Sequence, residues 1–256
     1  MIAQLSPPAP RSHVLLDGED LTVELTHYPG GLIQPSHRHS SAQLSFLLAG
    51  GFAERSGGRD FAPAGPQHRF QPAGSTHGVR FGANGAVILA FEFRRPQCPG
   101  QATHEWHPSA SCVGQLAHLL FAGVTPADDT AECLLAIASQ PADSGERKRS
   151  AVPTWLRSAA DHIADDPLAD ITAVAASAGV HRVHLSRSFQ RHFGLSPVQY
   201  RLYCKCSLAL RHLVEGGEPA AIAAQSAGFA DQSHWTRACR AIAGIGPGRI
   251  RRLLAA

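Results

Sequence analysis

No stretch of the 256-residue chain approaches the roughly 18 uninterrupted apolar residues that a membrane-spanning helix needs. The first residues, MIAQLSPPAPRSHV, lack an apolar h-region behind a basic start, so no secretory signal is read there. A soluble, cytoplasmic protein is expected. Charge is sparse at 17%, but 44% of the residues are apolar, which excludes disorder and leaves material for two modest cores. The six cysteines (Cys98, Cys112, Cys133, Cys204, Cys206 and Cys239) form no CxxC pair and no framework spacing. That argues against a disulfide scaffold or a zinc finger. Most are expected to be small buried apolar groups, with Cys204 and Cys206 facing different sides of a helix.

The net charge of +3 conceals an asymmetry. Lys and Arg number 11 against 13 Asp and Glu in residues 1–150, and 12 against 7 in residues 151–256. From Arg182 onward the count is 11 against 3. A basic bias confined to one end is the electrostatic footprint of a phosphate-backbone partner.

The two halves also follow different patterns. Up to about Phe93 the chain favours short β-like runs, LTVEL, QLSFLLA, GVRFG and AVILAFEF, parted by glycine- and proline-rich breaks such as YPGG, AGG and APAGP. Such a series suggests a sandwich or closed barrel. From about Val113 the spacing becomes helical, with Val113, Leu116, Leu120 and Val124 on one stripe. Residues 141–151, PADSGERKRSA, are polar and unpatterned, as a linker is. Beyond it the chain repeats itself: Gly179 matches Gly228, Arg187 matches Arg237, Gly194 matches Gly244 and Pro197 matches Pro247. Each copy has an alanine-rich helix (ITAVAASA, PAAIAAQSA), a glycine turn and a longer helix carrying arginine, which is the helix-turn-helix layout. A bundle of duplicated hairpins is the blander alternative. The expected fold is α+β. Residues 1–140 would be a sensor and dimerisation domain, with a barrel at about 20–95 and helices at about 113–140. Residues 152–256 would hold two helix-turn-helix units joined by a helix.

In the second copy, AAQSAGFADQSHWTRACRAIAGIGPGRIRR, the AGF, the polar DQS, Arg237, Gly244 and Pro247 resemble the signature of the AraC/XylS transcription regulators. The resemblance spans about residues 152–254 and departs from the pattern at Cys239, Gly246 and Ile250, whereas the first copy keeps Phe189, Ser196, Pro197 and Tyr200. It implies a sequence-specific DNA-binding regulator, not an enzyme, acting on double-stranded DNA and meeting RNA polymerase. It places base contacts at Arg182, Val183, Arg187, Gln232, Ser233 and Arg237. Helical spacing adds Ser186, Gln190 and Thr236 to the same faces. The loss of an aromatic to Cys239 predicts that Arg187→Ala weakens DNA binding more than Arg237→Ala. Asp170 is expected to cap the first short helix, and Ser196-Pro197 to open a joining helix reaching Val214.

In the first half, Gly31, His37, His39, Gln43 and Gly50 resemble the first cupin motif, with Gln43 where glutamate is usual. Pro72-Ala73-Gly74-Ser75-Thr76-His77 resembles the second, although its preceding glycine is shifted to Gly65 and Phe81 stands where asparagine is usual. Residues two apart on a strand face the same way, so His37 and His39 can point inward while His77 arrives from a facing strand. Three imidazoles with Gln43 suit one divalent transition ion (Zn, Fe, Mn or Ni). Gln43 lacks the charge of a carboxylate, and inward polar side chains alone also bind effectors, so both readings stay open. His104, His107, His181, His184 and His192 are assigned lesser roles, the last three near phosphates or on the helix surface. The resemblance implies a homodimeric regulator responding to a small-molecule or metal effector in the barrel. The rival reading is a metal-dependent, dioxygenase-like cupin enzyme with a DNA-binding tail. A purely architectural DNA protein is disfavoured because it would have no use for the barrel.

Overall fold

A computed structural model describes residues 9–63, 65–94, 106–108 and 152–255. The expected helices at about 113–140 and the linker at 141–151 lie outside these residues.

Eight strands form one antiparallel sheet: β1 Arg11–Asp17, β2 Leu21–Tyr28, β3 Ile33–Arg38, β4 Ala42–Ser56, β5 Arg59–Phe61, β6 Gln67–Gln71, β7 Thr76–Phe93 and β8 His107–Pro108. The spatial order is β1-β2-β7-β4-β6-β8, with β3 added to β7 and β5 to β4. Two expectations about this half need correction. Strand pairing starts at Arg11, before the expected limit of about residue 20. The runs GVRFG and AVILAFEF are one strand, and AGG lies inside another. The glycines are crossing points within strands instead of chain breaks. A Cβ at Gly50 (φ +88°) would sit 2.1 Å from the carbonyl oxygen of Gly85, and the β4–β7 register shifts on both sides of Gly50. Glycine inside a strand often marks such a bulge, and bulges bend the sheet.

The helices are α1 Thr154–Asp165, α2 Ile171–Ser177, α3 Arg182–Phe193, α4 Pro197–Val214, α5 Ala220–Ser226, α6 Gln232–Ala243 and α7 Pro247–Leu254. Their starts follow the sequence signals. Asp170 accepts from the amides of Thr172 and Ala173, Asp231 accepts from His234 N, and Ser196 with Gln199 forms a reciprocal capping box. Gly179 and Gly228 make the sharp turns inside the two units at φ +67° and +73°, a backbone conformation that a side chain disfavours.

Among the described residues, three apolar clusters hold the elements together. One belongs to the first unit: Leu156, Ile163, Val174, Leu185, Phe189 and Tyr200. One fills the inner side of the sheet: Leu47, Phe52, Val79, Phe81, Ala86 and Trp106. The largest joins the outer side of the sheet (Val23, Leu25, Leu44, Phe46, Leu89, Phe91) to α4 and the second unit (Leu210, Leu213, Trp235, Ile250). The sheet and the second helical unit therefore share a core, although the sequence divides them.

Candidate metal centre and nucleic-acid interface

His37 and His77 are register partners between β3 and β7, and His39 follows just beyond β3. The turn of the second motif holds this geometry. Gly74 N donates to His39 O at 2.8 Å, His39 N donates to Ser75 O at 3.2 Å, and Gly74 itself has φ +80°. The Nε2 atom of His77 then lies 2.9 Å from Nε2 of His39 and 3.1 Å from Nε2 of His37. The ligating nitrogens of all three lie within 4.8 Å of one another.

The opposite ring nitrogens are committed elsewhere. His37 Nδ1 bonds to Pro35 O at 2.9 Å, and His77 Nδ1 donates to the Glu54 carboxylate. With those nitrogens engaged outward, the Nε2 atoms of His37 and His77 are turned toward each other, where a shared cation would find two lone pairs. Carboxylate-to-histidine support of this kind sets the tautomer of metal ligands. The three histidines fit a divalent ion.

Glu54 was missed in the sequence, as were its partners Arg69 and Trp106. It is 2% exposed, its Oε1 accepts from Arg69 Nη2 at 2.5 Å, and its Oε2 accepts from Trp106 Nε1 at 2.8 Å. Burial pushes its carboxyl upward in pKa, but the bond from His77, the Arg69 charge and the Trp106 bond outweigh this and hold it below the usual value. Burial lowers the His39 pKa, helped by the charges of His77, His37 and Arg69 and opposed by Glu92. Gln43 stands in register with Glu92 and Gln71, and its Oε1 accepts from Ser45 Oγ at 3.2 Å. The carboxylate that sequence comparison expects at position 43 thus has a counterpart one strand away, at Glu92.

In the helical half the two arginine-bearing helices present matching faces. Arg182, Val183, Ser186, Arg187 and Gln190 are exposed on α3, while Leu185 and Phe189 are fully buried. On α6, Gln232, Ser233 and Arg237 are exposed, Thr236 is half-buried, and Trp235 and Cys239 lie inside. The expected weakness of the second unit at Cys239 finds no packing basis. The missing aromatic has moved one turn, with Trp235 in the place that Leu185 holds in the first copy, so the volume of the pair is largely restored. Gln190 Nε2 donates to Gly194 O at 3.2 Å, so a base contact would have to break that cap. His181 caps α3 through Val183 N, and His184 stacks on Trp155 with ring centroids 5.3 Å apart.

A family model described as a helix-turn-helix domain matches residues 174–253. A Streptomyces antibioticus protein named as an AraC-like transcription regulator is 29% identical over 117 residues, covering 42% of this chain and 39% of that protein. The chain thus spans about two fifths of the length of that relative. Among solved structures, the C-terminal domain of AraT, a response regulator from Geobacillus stearothermophilus, is 23% identical at a TM-score of 0.37, over 40% of this chain and 88% of that one. KdgF from Halomonas sp. is 20% identical at a TM-score of 0.32, over 36% and 86%. These structural likenesses are partial, and the matched sequence and the placement of the motif residues carry the assignment. Residues 174–253 thus carry a helix-turn-helix domain, the chain is similar over part of its length to an AraC-like transcription regulator, and its N-terminal part is an antiparallel β-sheet bearing a cluster of three histidines.

Proposed function

We propose that the chain is a transcription regulator that reads double-stranded DNA with both helix-turn-helix units and responds to a small-molecule or metal effector held in the barrel. One observation carries the DNA reading: Arg187 and Arg237 stand at equivalent, exposed positions of two helices whose opposite faces are buried alike. The joining helix α4 has 18 residues. At 1.5 Å per residue it is about 27 Å long, which suits two readers set about one DNA turn apart. Arginine bonds guanine O6 and N7 together, so each reader has a side chain able to discriminate bases. Sequencing the genomic fragments that the protein retains, then repeating the retention with Arg187→Ala and Arg237→Ala, tests this. Equal loss on specific and unrelated DNA would reduce both arginines to phosphate contacts.

His37, His39 and His77 would hold the ion, with Gln43 as the further candidate ligand. When bound, the ion supplies positive charge and open positions for an effector atom. A homodimer formed through residues 113–140 would bring paired readers to repeated sites, and sedimentation of the free protein and of its DNA complex tests that pairing. Contact with RNA polymerase accompanies this reading. The well-supported triad also favours a second reading, a metal-dependent cupin enzyme with a DNA-binding tail. Oxygen consumption by the purified protein with candidate substrates separates the two.

A further inference from the structure

The inner side of the barrel carries a group whose chemistry is unfinished. Arg69 is 1% exposed and Gln71, two residues along β6 on the same face, is 4% exposed. One corner of the Arg69 guanidinium is spent: Nη2 donates to Glu54 at 2.5 Å. Its Nε and Nη1 atoms, and Nε2 of Gln71, have no hydrogen-bond partner among the described residues. Unpaired buried donors are costly, more so when charged, and a cluster of them on one face calls for a partner. The guanidinium also lies beside the triad, since Arg69 Nη2 is 3.4 Å from His77 Nδ1 and the Arg69 charge acts on His39. The Trp106 ring covers the guanidinium, its centroid 5.2 Å from Cζ, and keeps water from that side.

We infer that Arg69 and Gln71 form an oxyanion subsite inside the barrel, and that the effector it takes is a small monocarboxylate. This rests on the effector-sensing reading given above. Guanidinium and amide donors both suit a carboxylate, and the bonds they make to it are charge-assisted. Charge sets the limit. Glu54 already balances Arg69, and Glu92 faces the same interior, in register with Gln43 across from Gln71. By this tally a dianion such as phosphate meets twice the repulsion from Glu92 that a monoanion meets, and a larger desolvation cost, for the same set of donors, which favours the monoanion.

Calorimetric titration and thermal shift of the full chain with acetate, propionate and butyrate, each beside its neutral amide, test the subsite. Fluorescence of Trp106, which lies over Arg69, gives a local signal once Trp155 and Trp235 are replaced by phenylalanine. The acids are expected to bind and stabilise while the amides do not, and Gln71→Leu, which leaves the Arg69–Glu54 pair whole, is expected to bind at least about tenfold more weakly. The double variant Arg69→Met/Glu54→Gln removes both charges together and should abolish binding. If that variant does not fold, Gln71→Leu decides alone. Gln71→Leu leaves the three histidines and Glu54 in place, so binding that persists unchanged in it belongs to the triad and overturns the subsite. Failure of every acid overturns it as well. Equal binding of acid and amide overturns the carboxylate class while the effector reading stands. Binding of the acids with no change in DNA affinity supports the subsite and removes the effector reading.

Discussion

Glu54 decides what His77 can do. Its carboxylate takes the Nδ1 proton of His77 and leaves Nε2 free to face the other two rings. Glu54→Gln keeps the shape but removes the charge, and it is expected to weaken zinc or iron binding about 10–100-fold in competition with a chelator. Unchanged affinity would mean that the tautomer is set by something else. His37→Ala and His77→Ala should strip the metal altogether. A native protein carrying only traces of metal, no more than these variants do, would end the metal reading. The histidines were legible because each sits in a motif of fixed spacing. Glu54 and Arg69 were not, because their pairing crosses 15 residues and their inward direction is set only after two bulges reset the strand register. On the DNA side, Arg187→Ala and Arg237→Ala are each expected to cost about 1–3 kcal/mol of discrimination at a specific site, measured by competition against unrelated DNA. The two costs should be comparable, since Trp235 supplies the second unit's core with the aromatic volume that Cys239 gives up. A much smaller cost at Arg237 would restore the order expected from Cys239.

The two units are a natural experiment in how one helix-turn-helix core can be filled in two ways. The pair Leu185 and Phe189 in α3 becomes Trp235 and Cys239 in α6, and all four are essentially inaccessible. Trp235→Leu alone should open a cavity and cost roughly 2–4 kcal/mol, and Cys239→Phe alone should overpack at a cost of about 1–3 kcal/mol. Together they copy the first unit and should recover much of both losses in chemical denaturation, giving a coupling energy that independent sites would not show. Simple addition of the two penalties would mean that the pockets are separate. At the joining helix, Ser196→Ala removes one half of the capping box and should lower stability by about 1 kcal/mol. Helix limits here were readable almost to the residue, because caps and glycine turns are local chemistry. The strands were read less well. Glycines within β4 and β7 carry the same letters as loop glycines, and only the opposing strand shows that they mark a close approach.

At the scale of the whole molecule, the barrel is docked on α4 and the second unit. Arg11 Nη1 donates to Val214 O at 2.6 Å and Arg211 Nη1 to Ala83 O at 2.9 Å. His27 is buried in the same contact, 3.5 Å from Glu215 Oε1. Burial, aided by the nearby Arg11 charge, pulls the His27 pKa down from 6.5 to about 4, and the half-exposed Glu215 does not offset it. The folded state therefore holds His27 neutral where the unfolded chain protonates it. The resulting stability is present above about pH 6.5 and is lost as pH falls towards about 4. By linkage it amounts to at most roughly 3 kcal/mol. Melting temperatures across that window should fall with pH, and less steeply in His27→Asn; identical slopes would place the acid sensitivity elsewhere. None of this contact was legible in the sequence, because its partners come from both halves and no motif spans them. The shared core also partitions the molecule's cooperativity. Tyr200, near the start of α4, belongs to the first unit's cluster, while Cys206, Leu210 and Leu213 belong to the cluster shared with the barrel. One helix is thus anchored in two separate apolar clusters, an arrangement that would let them open independently. Under native-state hydrogen exchange the first unit should open as a subglobal unit of its own, leaving the barrel and the second unit folded around the far end of a helix that has begun to fray.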